Sequence, residues 1–157
     1  MSIPIRTSLI ALLFLPALGL AQSAEKGQAM CYQIEKTINA LVDYTQTSCL
    51  PTGAKQKNAY SFILLSSQPV FSVEPSKKAW LLVAVAAVGD ILNKSESVKA
   101  EELWLSDVNL MKNRVAHVFP APLSKSLQRR VKAGQLGVEA MYSEISKNLT
   151  QKSIPKK

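Results

Sequence analysis

Histidine occurs once in these 157 residues, at His117, and cysteine twice, at Cys31 and Cys49. A zinc centre draws on about three or four Cys, His or carboxylate donors, so a metal site lacks material and none is expected. The two cysteines are too far apart for a C-x-x-C redox pair, which removes dithiol catalysis. No Gly-x-Ser-x-Gly elbow, phosphate loop or dinucleotide fingerprint is present, so no catalytic residue and no cofactor is assigned. The acids Asp90, Glu96, Glu101, Glu102 and Asp107 fit neither a calcium loop nor a marked glycosidase pair, and they read as solvated surface. If they lie in a strand, the adjacent Glu101 and Glu102 should face opposite sides. Aromatic residues make up 6% of the chain. In the last third the rings are Phe119 and Tyr142, too few for the stacking platforms of single-strand nucleic-acid binders, so nucleic acid is not an expected partner.

Long apolar runs are missing as well. The two that exist, 9–20 and 79–88, fall well short of the roughly 20 residues that a bilayer requires, and no membrane span is expected in the mature chain. The first run has the anatomy of an export leader. Arg6 and the amino terminus supply positive charge, residues 9–20 supply the apolar segment, and Pro16 interrupts it near its end. Small residues follow at spacings suited to cleavage after Ala21 or Ser23. Residues 1–21 are therefore expected to be a cleavable signal peptide, and the protein periplasmic or secreted. In an oxidising compartment Cys31 and Cys49 should form a disulfide. Closing that loop stabilises by about 3 kcal/mol on chain-entropy grounds.

Apolar periodicity organises the remainder. Residues 28–44 predict an amphipathic helix, with Met30, Ile34, Ile38, Leu41 and Val42 on one side. A polar loop at 50–58 precedes strand formers at 60–65 and 70–73. The run 79–88, opened by Glu74-Pro75-Ser76, predicts a helix apolar on every side and so buried. Strands are expected at 102–108 and 114–119, joined by the short link 109–113. A final helix is expected from residue 124 to 149, with Gly134 and Gly137 allowing a kink or two shorter helices. The order is roughly α-β-β-α-β-β-α. It predicts an α+β fold, helices packed on an antiparallel or mixed sheet, as a single domain over 22–149. Residues 150–157 are expected to be a basic disordered tail.

Charge is unevenly distributed. The formal net charge is +8, yet residues 22–108 nearly balance, and the excess lies beyond residue 108. Lys112, Arg114, Lys125, Arg129, Arg130 and Lys132 occur with no acid among residues 109–132. Such a segment favours an acidic protein, an anionic envelope polymer or lipid headgroups. These readings converge on an exported, non-enzymatic binding or accessory protein with a basic C-terminal surface. The alternative is a small exported hydrolase or hydrolase inhibitor built around His117, with Asp107, Asp90 or Asp43 orienting it.

Overall fold

The computed structural model describes residues 15–52, 59–95 and 97–155. Among them, five α-helices and a five-stranded mixed sheet form an α+β domain. The expected leader, 1–21, lies largely outside the described residues. The chain enters in helix α1 (Leu15–Leu41), followed by β1 (Thr47–Thr52), β2 (Ala59–Ser66), a 3-10 turn (Val70–Ser72), α2 (Glu74–Asn93), β3 (Lys99–Asp107), α3 (Val108–Lys112), β4 (Val115–Pro120), α4 (Ala121–Lys132), α5 (Val138–Lys147) and β5 (Thr150–Ser153). Strands are ordered β1-β2-β3-β4-β5 across the sheet. Neighbours are antiparallel except β2 and β3, which run parallel because α2 carries the chain back between them.

The apolar run at 79–88 forms the centre of α2. Trp80, Leu81, Ala84, Val85, Val88 and Leu92 have no exposed surface, and they pack over Phe62 and Leu64 of β2 and Leu103 and Leu105 of β3. The Trp80 indole N–H donates to Thr47 Oγ1 at 2.9 Å, which satisfies a buried donor. Gly89 does not interrupt α2. It marks where α4 crosses, since a Cβ there would stand 2.3 Å from the Ser124 carbonyl oxygen.

One stripe of α1 is tied to the sheet edge. Cys31, Glu35 and Asn39, spaced one turn apart, all reach β1. The sulfurs of Cys31 and Cys49 are at bonding distance. The Cys49 N–H donates to Glu35 Oε1 at 2.6 Å, and Asn39 both accepts from the Thr47 N–H and donates to its carbonyl. These side chains occupy backbone groups that an edge strand would otherwise leave open. Leu41, expected on the apolar stripe, is 68% exposed, while Met30, Ile34, Ile38 and Val42 are buried.

Several local expectations change. Where a strand was expected at 70–73, Val70–Ser72 form the 3-10 turn; Pro69 precedes it, and the Phe71 N–H donates to Asp107 Oδ2. Of the loop expected at 50–58, residues 50–52 belong instead to β1, held to β2 in antiparallel register, and 53–58 lie outside the described residues. The link 109–113 contains α3, whose first N–H groups, those of Asn109 and Leu110, are capped by Asp107 Oδ1. The final helix divides into α4 and α5. Gly134 adopts φ +73, the Gln135 N–H reaches the Arg130 carbonyl, and the Gly134 N–H reaches that of Val131, which closes α4 with a glycine cap. Beyond α5, Thr150–Ser153 forms β5 against β4, where a disordered tail was expected from residue 150. Its four residues are exposed and polar, so they gave no apolar signal of pairing.

Candidate functional site

The six basic residues singled out by sequence divide into two groups. Lys112 ends α3, and Arg114, with φ 54, makes the turn into β4. Lys125, Arg129, Arg130 and Lys132 all lie on α4, which begins where β4 ends. The buried residues of α4 are Ala121, Ser124 and Leu127, so its opposite side carries the cations. Arg129, Arg130 and Lys132 are exposed and Lys125 is half-buried. Among the described residues, ion pairs engage Lys77, Lys78, Lys94, Lys147 and Lys152, and none engages any of these six. Three of the α4 cations also stand in its last turn, where they complement the partial negative charge of the helix C-terminus.

His117 lies on the helix-facing side of β4, its ring stacked on Phe71 at 4.7 Å. Burial holds its imidazole below the ordinary histidine range. The Lys77 ammonium pushes the same way, and the Asp107 carboxylate offsets part of the effect. Asp107 is itself buried, with its oxygens taken by the backbone N–H groups of Phe71, Asn109 and Leu110. Among the described residues no hydrogen bond links the His117 side chain to a serine or a carboxylate. That geometry is one of packing and capping; it contains no nucleophile and base in contact.

The sheet face turned away from the helices presents a feature the sequence reading did not isolate. Along β2, Tyr60, Phe62, Leu64 and Ser66 are buried under the helices, while Ser61, Ile63 and Leu65 are half-exposed on the other face. With Leu50 of β1 and Trp104 of β3 they line a concave groove of about 480 Å³, to which Met111 and Ile154 also contribute. Leu50 is 60% exposed. The detectable signal was the unbroken apolar stretch at 62–65, which places hydrophobic side chains on both faces of one strand.

Glu101 and Glu102 both line this groove, contrary to the expectation that they face opposite sides. Tyr60 is paired with Ala100 and Phe62 with Leu103, so Ser61 stands opposite two residues of β3. The resulting β-bulge cancels one step of the alternation. Without it, Glu101 would point under the helices, where an unpaired carboxylate is costly. The Glu102 N–H donates to Ser61 Oγ at 3.2 Å. Glu102 pairs with Lys152 of β5 at 3.4 Å, and that ammonium also lies 6.0 Å from the Trp104 ring centroid. Compared with family models, with curated proteins and with solved structures, the chain matched none.

Proposed function

We propose that the chain is an exported, non-enzymatic binding or accessory protein that meets an anionic partner through α4. The observation that carries this reading is the placement of Lys125, Arg129, Arg130 and Lys132 together on one helix with, among the described residues, no carboxylate paired to them. Cations left without internal partners keep their field for an external one, whether an acidic protein, an envelope polymer or a lipid headgroup. Lys112, on α3, and Arg114, in the turn into β4, lie on other elements and add to the same positive field. Two features support the exported location: the bonded cysteine pair and the leader-like anatomy of residues 1–21. Among the described residues no helix is long and apolar enough to cross a membrane.

Co-sedimentation with vesicles of anionic or neutral lipid, and with an anionic polysaccharide on beads, tests the reading. Retention on the anionic material is expected in about 50 mM salt and should fall sharply near 300 mM as screening shortens the reach of the charges. The charge reversal R129E/R130E/K132E should abolish retention, whereas K112E/R114E should reduce it only modestly. Retention that ignores both salt and the α4 reversal would refute the assignment.

A further inference from the structure

A second groove, of about 440 Å³, lies among α1, α2, α4 and α5. Its floor is a stripe of α2 in which Leu82, Val83 and Ala86 stay half-exposed, although the run they belong to is apolar on every side. Leu41 of α1 and Val138 of α5 also line it, and they are 68% and 61% exposed. From α4 comes Gln128. Lys125, Gln128, Arg129 and Lys132 follow one another at helical steps of three and four, so they form one stripe along α4. That stripe sets three cations beside the apolar groove.

The charge around the groove is positive once its internal pairs are set aside. Asp90, the carboxylate in the lining, is paired with Lys94 at 3.0 Å, and Glu139, next to Val138, is paired with Lys78. Lys36 and Asp43 flank Leu41 along the chain with one charge of each sign. Lys125, Arg129 and Lys132 remain, and among the described residues none has an ion pair.

We infer, on the strength of the α4 reading above, that this face docks on an anionic lipid bilayer. Leu41 and Val138 enter the boundary of the acyl layer, and the α4 cations meet the headgroup phosphates. Apolar burial and attraction to anionic lipid act together in such a contact. Lysine and arginine suit the rim because their stems lie along apolar surface while their charged ends stay in water. An anionic polysaccharide would meet the cations but leave Leu41 and Val138 in water. A second copy, docked through the same patch, would set one basic α4 against another. A folded partner would have to match the shape of a groove more open to solvent than the one on the sheet face. Fluid acyl chains fill it without a matching shape.

Partition of the full chain into phosphatidylglycerol and phosphatidylcholine vesicles, beside retention on anionic polysaccharide beads, tests the docking at low salt. The double variant L41Q/V138Q should weaken partition into phosphatidylglycerol vesicles about tenfold, leaving circular dichroism and retention on the beads unchanged. Leu41→Trp, read as a difference from Trp80 and Trp104, should emit further to the blue on those vesicles and be quenched by bromine on the acyl chains. Full partition of L41Q/V138Q, or an unquenched Leu41→Trp, would overturn the bilayer. So would binding of a helical peptide with leucine on one side and glutamate on the other that vesicles cannot displace. Retention on the beads without partition into phosphatidylglycerol would overturn the bilayer and leave the α4 contact standing. Vesicle and bead retention that both survive R129E/R130E/K132E would remove the α4 contact itself.

Discussion

Replacing Gly89 by alanine sets helix propensity against packing. In an isolated helix alanine is favoured over glycine by about 0.8–1 kcal/mol, so α2 considered alone would gain. In the folded domain the added Cβ would stand 2.3 Å from the Ser124 carbonyl oxygen, 2.7 Å from Gln128 Cβ and 2.9 Å from the Ser124 carbonyl carbon. Ordinary contact begins at 3.4 Å, so the first turn of α4 must retreat by about 1 Å. Two of the three obstructing atoms are backbone, and no rotamer change relieves them. The turn is also anchored: Ser124 and Leu127 are fully buried, and Asn93 Nδ2 donates to the Lys125 carbonyl at 3.3 Å. Overpacking of this kind costs about 1–3 kcal/mol. Set against the propensity gain, Gly89→Ala should destabilise by about 1 kcal/mol, or about 3–6 °C in Tm for a domain of this length. Urea and thermal melts followed by circular dichroism at fixed pH measure it. A midpoint raised by the alanine would show that α2 and α4 do not approach backbone to backbone, and would refute the packing argument.

Reducing the Cys31–Cys49 bridge, or replacing Cys49 by serine, should cost about 3 kcal/mol of unfolding free energy; reduction without any shift in the urea midpoint would contradict a closed loop. The protein recovered from its native compartment should carry that bond oxidised and begin after Ala21 or Ser23, as N-terminal sequencing can determine. Since the His117 imidazole is held below its ordinary pKa in the fold, the unfolded chain takes up the proton first, near pH 6.5. Its contribution is therefore complete above that value and is lost as the pH falls through about 6.5 towards the folded-state pKa. His117→Phe retains a ring against Phe71 and should flatten the dependence of the melting midpoint between about pH 7 and 5.5; an unchanged slope would refute burial as its cause.

Elements with their own apolar period were legible in the chain. Met30, Ile34 and Ile38 repeat at helical spacing and are buried as that spacing requires. The run at 79–88 is apolar on every side, and the helix that contains it lies at the centre of the core. Val115, His117 and Phe119 alternate as a strand, and β4 contains them. The strands that escaped notice, β1 and β5, have polar sequences, and pairing with a neighbour rather than burial holds them. A residue such as Gln151 carries no local record of the His117 backbone opposite it.

The same division runs through the candidate sites. The amino-acid order alone determined that the positive charge is concentrated after residue 108, that catalytic ligands are scarce, and that Cys31 and Cys49 have no rivals for pairing. Each of these depends on composition or short-range spacing, which a one-dimensional reading can resolve. Only the tertiary structure decided that Lys112 and Arg114 belong to α3 and the turn into β4 while the other four cations share α4, and that, among the described residues, a second sheet face is apolar and half-exposed. It alone decided that Glu101 and Glu102 share that face. A bulge exists only where two strands are aligned, so its consequence for two carboxylates is a property of the β2–β3 register and of neither segment by itself.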